Sequence, residues 1–416
     1  MNAKTVTSAM TRKINLRGAM LMLAVWLVAL PSVFAQRAPR SPGAIISEES
    51  GSEEISATAK PAWTYFTEFT PDTGLSSQSA VYDQATNIMI VFGGVDVGLG
   101  GLATDTNAVL LRASANGSGP WSALIANGAV GSPSARDAHT ALYDAANNRM
   151  IVFGGEIITV SGGILTYTYL NDVWVLSDAN GQGGTPTWTQ LSPSGSPPPV
   201  RSGHTAVYDP ADNRMIIFGG TGTAVLNDVW ELSNANGLGG TPTWTQLSPS
   251  GNLPPGSWGS SAVYDTVNNI MTVFGGNLAQ TSPATNAVWT LSHANGLGGT
   301  PQWTNIVVKG APGSPAKRAA HTAIYDVAHN RMTIFGGVDF SSKAFLGFND
   351  AWVLDNANGL GGTPAWTRLK PGTAPGVRYY HTAVYDSVHN QMVVFAGFNL
   401  DAQFYVTWVL SDANGL

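Results

Sequence analysis

A pair of residue types that could bind an anion recurs along the chain at a fixed spacing. Arginine is followed three residues later by histidine at Arg136/His139, Arg201/His204, Arg318/His321 and Arg378/His381. The planar guanidinium group matches a carboxylate, and four such groups around one opening would concentrate positive potential there. The spacing predicts a site for an anionic or hydroxyl-rich ligand. The alternative is that each pair only ties together neighbouring loops of its own repeat.

Two residues that occur once each extend this candidate site. Glu156 lies in a loop of the second repeat and, with Arg201 holding an anion, could act as an acid/base group. Trp258 follows Ser257, where the fourth repeat lacks the arginine, and is expected to be exposed. The histidines have no paired spacing typical of a metal site, and the chain has no cysteine. We therefore expect no metal and no other cofactor.

These residues belong to a repeat of about sixty residues, a period typical of solenoids and propellers. The repeat is marked by F-G-G, or once F-A-G, whose phenylalanines are Phe92, Phe153, Phe218, Phe274, Phe335 and Phe395. In the third repeat, four runs rich in β-branched and aromatic residues (204–208, 214–218, 228–232 and 243–247) predict four strands. Differences in repeat length fall after F-G-G, in one loop. Loops that vary on a constant scaffold commonly carry function.

The elements R-x-x-H, F-G-G and N-D-x-W, which recur in this order, resemble the kelch repeat. The resemblance covers roughly Ala62 to the C-terminus. It implies an all-β, six-bladed kelch-type propeller with four antiparallel strands per blade. Residues 61–66 match a fourth strand, whereas the chain ends after a third strand. We expect the N-terminal strand to complete the last blade and close the ring; the alternative is a fragment of a longer array.

Other repeated residues are expected to be structural. The turns Y-D-x-x-x-N and A-N-G-x-G-G-T-P contain the residues that favour left-handed backbone, and they lack the fixed oxygen ligands of a calcium site. Repeated tryptophans are expected to pack blade against blade. They occupy one third-strand position (Trp174, Trp230, Trp289, Trp352, Trp408) and one fourth-strand position (Trp63, Trp121, Trp188, Trp244, Trp303, Trp366).

The N-terminal region indicates export. Residues 1–35 combine basic Arg12, Lys13 and Arg17, an apolar run over 19–30 that is too short for a membrane span, and small residues before a cut after Ala35. An uncleaved anchor is the alternative. Residues 36–60 are expected to be a disordered linker, and 61–416 the propeller. The net charge of −6 argues against a nucleic-acid partner. We expect a monomer, without a membrane span after cleavage, that is secreted or resides in the periplasm or cell envelope.

The kelch resemblance leaves several functions open. The favoured interpretation is an exported binding module that presents its variable-loop face to a glycan or protein partner. One alternative is a carbohydrate-active enzyme similar to the exported six-bladed kelch proteins that interconvert sialic acid anomers. Another is a structural envelope protein. The copper chemistry of galactose oxidase, which uses a tyrosine cross-linked to cysteine, is excluded because the chain has no cysteine.

Overall fold

A computed structural model describes residues 8–10, 60–66, 74–97, 103–161, 164–278, 283–341, 345–399 and 402–416. These residues form strands, turns and loops, with no helix among them. It follows that none of the described segments is a helix able to cross a membrane. Most of the predicted leader and linker lies outside the described residues. Within the leader, only the short strand Ser8–Met10 is described, and it pairs with Ile164–Tyr169.

The described strands form six sheets with four strands in a common order, which we call blades 1 to 6. The strands of blades 1 to 3 are Ser79–Asp83, Ile88–Phe92, Val109–Arg112, Trp121–Ile125; Thr140–Asp144, Arg149–Phe153, Val173–Ser177, Thr187–Gln190; Thr205–Asp209, Arg214–Phe218, Val229–Ser233, Thr243–Leu247. The strands of blades 4 to 6 are Ser261–Asp265, Ile270–Phe274, Val288–Ser292, Gln302–Val307; Thr322–Asp326, Arg331–Phe335, Ala351–Asp355, Ala365–Arg368; Thr382–Asp386, Gln391–Phe395, Thr407–Leu410, Trp63–Phe66. The expectation of an all-β kelch-type propeller is confirmed.

The loops after the second strands carry short strands of their own. Blade 2 has the hairpin Glu156–Ser161 with Ile164–Tyr169. Blade 1 has Val95–Val97 paired with both Gly74–Ser76 and Ala103–Asp105. Blade 5 has Val338–Asp339 with Leu346–Gly347. Outside these loops, Ser250–Gly251 lies in the connection from blade 3 to blade 4 and adds a parallel fifth strand to blade 4. In blades 1, 2 and 5, the described parts of the variable loops therefore extend the propeller with short paired strands.

The two ends of the propeller meet in blade 6. Strand Trp63–Phe66 pairs antiparallel with Thr407–Leu410, so the N-terminal strand supplies the fourth strand of this blade. The first strands of successive blades contact one another in a cycle, because the strand of blade 6 contacts that of blade 1. This closure leaves blade 6 without an unpaired third strand.

Aromatic pairs fill the space between blades, as the repeated tryptophans predict. Each fourth-strand tryptophan packs on the F-G-G phenylalanine of the preceding blade, with ring centroids 4.4–5.1 Å apart. Trp63 makes this contact with Phe335 at 4.8 Å, and Trp121 of blade 1 makes it with Phe395 of blade 6 at 4.4 Å. The N-terminal strand thus supplies packing as well as backbone pairing.

The two repeated turns are also linked from blade to blade. The Asp of Y-D-x-x-x-N in one blade accepts a hydrogen bond from the Asn of the A-N-G turn in the next. The six bonds, of 2.5–2.6 Å, are Asp83–Asn180, Asp144–Asn236, Asp209–Asn295, Asp265–Asn358, Asp326–Asn414 and Asp386–Asn116. These turns therefore shape their own loops and also hold neighbouring blades together.

Candidate functional site

The structure corrects the expectation that the repeated arginines face a ligand. Arg136, Arg201 and Arg318 are fully buried, with 0% exposure. Each forms a two-pronged ion pair with the aspartate of N-D-x-W in its own blade, at 2.7–3.2 Å. The aspartates are Asp172, Asp228 and Asp350. Further guanidinium hydrogens bond backbone carbonyls, as Arg201 does with Pro199 and Gly219. These three guanidinium groups hold the inner strands of their blades in place.

The other blades depart from this pair in an informative way. Blades 1 and 4 replace the arginine by Leu75 and Ser257, and the matching aspartate by Ala108 and Ala287. In blade 6, Arg378 is buried and lies over the Phe404 ring at 4.5 Å. Burial lowers the pKa of Arg378 to about 10. Arginine and aspartate are replaced together in blades 1 and 4, as a buried ion pair favours, whereas blade 6 keeps Arg378 and has Val406 in place of the aspartate.

The repeated histidines are also packing residues. His139, His204, His321 and His381 are buried. Each ring packs edge-on against the F-G-G phenylalanine of the preceding blade. Each Nε2 lies 2.7–2.9 Å from a hydroxyl there, on Ser79, Thr140, Ser261 or Thr322. Burial and the adjacent arginine lower all four pKa values, to about 3 for His139 and His321. The histidines are therefore neutral at physiological pH.

The residue just before each histidine, or its counterpart in blades 1 and 4, belongs to a ring of backbone hydrogen bonds around the axis. Its amide donates to the equivalent carbonyl of the preceding blade at 2.8–3.0 Å, and the cycle closes from Ser77 to Tyr380. We call these six residues the axial ring: Ser77, Ala138, Gly203, Gly259, Ala320 and Tyr380. All six have φ between 47° and 65°. This left-handed backbone favours small residues, so Tyr380 is the exception.

The residues immediately before the axial ring pair with the loops after F-G-G. These backbone pairs are Ser76–Val95, Asp137–Glu156, Ser202–Thr221, Trp258–Asn277, Ala319–Val338 and Tyr379–Phe398. They bring the start of every variable loop to one face of the propeller, which we call the axial face. The axial face is thus built from residue pairs of which no two are the same.

Three carboxyl groups gather at the axial face beside blades 1 and 2, and we call them the acidic cluster: Asp105, Asp137 and Glu156. Asp137 is 3% exposed, and its Oδ1 accepts no hydrogen bond from any described residue. Asp105 Oδ1 likewise accepts no hydrogen bond from a described residue, while Asp105 Oδ2 accepts one from the Ile158 amide at 2.7 Å. Glu156 is partly buried and accepts from the Ser202 hydroxyl at 2.9 Å.

Electrostatics set the acidic cluster apart from the other carboxyl groups. Burial raises the pKa of all three acids, and the neighbouring negative charges of Glu156 and Asp105 raise that of Asp137 further. Within the described residues, none of the three pairs with a lysine, arginine or histidine. The same part of the chain contains no group of three or more His, Asp or Glu residues placed to hold a metal.

Aromatic side chains from blades 4 to 6 line the same face, and we call them the aromatic cluster: Trp258, Phe340, Tyr379, Tyr380 and Phe398. Trp258 stacks on Phe340 with centroids 5.8 Å apart, and Tyr380 stacks on Phe398 at the same distance. Burial, Glu156, Tyr379 and Asp137 raise the Tyr380 pKa. Tyr380 therefore links the two clusters. Trp258, expected to be exposed, is partly buried, and its Nε1 has no described partner.

The sequence analysis found two members of this site and missed the rest. Glu156 and Trp258 do lie at the axial face, in the acidic and aromatic clusters respectively. Asp105, Asp137 and Tyr380 were missed because they are not part of the repeated motifs. The available signal was the pair of positions between the arginine and the histidine, which change from blade to blade within a constant motif.

Comparison with known proteins identifies the same architecture. A model of the KLHDC2/KLHL20/DRC7 kelch-repeats domain matches residues 58–233, and a model of the Attractin/LZTR1 β-propeller matches residues 182–403. Human multiple epidermal growth factor-like domains protein 8 is 30% identical over 259 residues, which are 60% of this chain and 8% of that protein. Human host cell factor 2 is 27% identical over 285 residues, which are 64% of this chain and 31% of that protein.

A solved structure described as the structure of YjhT superposes on this chain with a TM-score of 0.56 and 15% identity. The match covers 83% of this chain and 95% of that one. At this identity, the likeness concerns the fold. The match covers only 8% and 31% of the length of the two relatives named above. The similarity therefore concerns one part of each relative.

Proposed function

The chain belongs to the Attractin/LZTR1 β-propeller family and carries kelch repeats, and on this premise we propose that it is a binding module whose axial face docks a protein partner. One observation carries the proposal. The inter-blade contacts recur in cycles around the propeller, whereas no two blades carry the same pair of residues where the axial face pairs with the variable loop. A repeated residue serves the scaffold, and variation confined to loops on that scaffold is typical of binding surfaces.

The hairpins at this face support a protein rather than a small ligand. They carry exposed apolar side chains, with Leu346 57%, Ile164 56% and Val160 48% exposed. Leu346 and Ile164 belong to different blades, and each stands on a paired hairpin. Exposed apolar groups around a partly polar centre are characteristic of protein-binding patches.

The location of the protein is part of the proposal. The leader pattern of residues 1–35 supports export, so we place the propeller outside the cytoplasm, acting as a monomer. A sialic acid mutarotase-like activity is not favoured, because an acid/base Glu156 would need an anion-holding arginine nearby. Arg201, the predicted candidate, is buried and engaged by Asp228.

Cross-linking from two faces tests the proposal. A photoreactive phenylalanine analogue replaces Leu346 at the axial face or, as the control, Leu297 in a turn between the third and fourth strands, which is 38% exposed. The full chain is expressed in its own cells and irradiated. We expect a discrete protein adduct from position 346 and none from position 297. Adducts from position 297 alone, or equal adducts from both, would show that the axial face is the wrong surface.

A further inference from the structure

We propose that the acidic cluster receives a cationic side chain of the partner protein, a guanidinium or an ammonium group, flanked by the aromatic cluster. The inference rests on the proposed function and names the chemistry that the axial face recognises. A cationic ligand is proposed in place of the anionic ligand predicted from the sequence. The arginines that suggested an anion form ion pairs with aspartates of their own blades.

Two carboxylate oxygens of the acidic cluster lack a hydrogen-bond donor among the described residues. Asp137 is 3% exposed, yet its Oδ1 accepts no hydrogen bond from the described residues. Asp105 Oδ1 is also buried and accepts no hydrogen bond from them. An ionised carboxylate only accepts hydrogen bonds, and a buried polar atom left without a partner destabilises the folded protein. A ligand that contacts these atoms in their ionised state must therefore supply N–H or O–H donors.

The acidic cluster concentrates negative charge. The negative charges of Glu156 and Asp105 both act on Asp137. No described basic residue forms an ion pair with any of these three acids. Taking several carboxylates out of water is unfavourable unless an opposite charge offsets the loss. A sugar hydroxyl would donate a hydrogen bond without relieving this repulsion. A guanidinium or ammonium group does both.

The aromatic cluster lies beside the acidic cluster. The cluster reaches the acids at Tyr380, which contributes to the axial ring and stacks on Phe398. Aromatic faces attract cations and cover the methylene groups of lysine and arginine. The neighbouring axial-ring residues Ala138 and Gly203 have minimal side chains. A long side chain can therefore approach the acids alongside the aromatic rings.

Calorimetry with a matched pair of peptides tests the inference. The probes are acetyl-Gly-Arg-Gly-amide and its citrulline counterpart, which keeps the shape and loses the charge, titrated into the full chain at pH 8 and low salt. We expect saturable binding of the arginine peptide and at least about tenfold weaker binding of the citrulline peptide, a difference of about 1.4 kcal/mol. Absence of arginine-peptide binding, or equal binding of both peptides, would overturn the inference.

Charge-neutralising variants locate the binding. Asp137→Asn and Glu156→Gln are each expected to lower the affinity for the arginine peptide at least about tenfold. Asp178→Asn is the control, because it removes one charge near the other face, where blades 3 and 5 already carry Asn234 and Asn356. Unchanged affinity in both cluster variants would place the peptide elsewhere. Each cluster variant removes repulsion, so we expect it to fold at least as stably as the parent.

The two proposals fail separately. If the adduct from position 346 persists while the arginine peptide does not bind, the docking face stands and the cationic ligand is rejected. If the peptide binds through Asp137 and Glu156 while position 346 gives no adduct, the cationic site stands and docking of a large partner at this face is rejected.

Discussion

The buried Arg201–Asp228 pair offers a sharp test of what the R-x-x-H motif does. Replacing Asp228 by alanine leaves a guanidinium group with 0% exposure and only two carbonyl acceptors, Pro199 and Gly219. Removing one partner of a buried ion pair costs about 3–5 kcal/mol. Because the Asp228 side chain is 17% exposed, water can reach the vacated position, and we expect a loss near 3 kcal/mol.

A double variant separates the buried charge from the other effects of losing Asp228. Arg201→Leu with Asp228→Ala reproduces the natural combination of blade 1, where Leu75 and Ala108 occupy these positions. Both variants also deprive Trp230 Nε1 of its acceptor at 2.7 Å, so this loss cancels in the comparison. Since an apolar replacement of a buried pair is often close to neutral, we expect the double variant to regain at least half of the stability.

Urea unfolding at pH 7, followed by tryptophan fluorescence, measures the three free energies of unfolding. The reasoning is refuted if the double variant is less stable than Asp228→Ala, or if Asp228→Ala costs less than about 1 kcal/mol.

Unfolding measured over a series of acidic pH values checks the direction of the Asp228 pKa shift. Burial alone would raise the pKa of Asp228, but the hydrogen bonds and charge of Arg201 outweigh it and lower the pKa. The pair's contribution is therefore complete above the unfolded pKa of about 3.9 and lost in stronger acid.

Three further predictions concern the closure, the turns and the acidic cluster. Trp63→Ala removes the packing of the N-terminal strand on Phe335 and should cost about 3 kcal/mol; an unchanged urea midpoint would show that this strand does not stabilise the ring. Asn295→Ala removes the inter-blade donor to buried Asp209 and should lower the free energy of unfolding by about 1–3 kcal/mol. A loss no larger than that caused by Asp178→Asn would show that this hydrogen bond does not stabilise the propeller. Glu156→Gln should raise the urea midpoint at pH 8, because burial raises the Glu156 pKa to about 7 and its ionisation opposes folding; the gain should fade towards pH 4 as the parent's Glu156 becomes protonated. Asp105, Asp137, Tyr167 and Tyr380 face the same region, so a gain that grows in acid would mean that their titration, rather than that of Glu156, governs this range.

The amino-acid sequence determined the scaffold because the scaffold is periodic. Period-two apolar runs, F-G-G and the turn motifs recur, and every recurrence is an independent statement of the same strand order. The position of Trp63 in a matching fourth-strand segment was enough to predict its pairing in blade 6. The ion pair of Arg201 with Asp228 was also within reach, since blades 1 and 4 lose both residues together.

The candidate site was decided by tertiary structure, because its members come from separate repeats. Asp105, Asp137 and Glu156 are adjacent only after the loops of blades 1 and 2 converge at the axial ring. Tyr380 joins them because the ring closes from blade 6 back to blade 1. The sequence shows that Arg136 and His139 repeat, but only burial shows that repetition there means packing. The residue between them, Asp137, is unique to its blade, and its unpartnered oxygen is visible only when its surroundings are known.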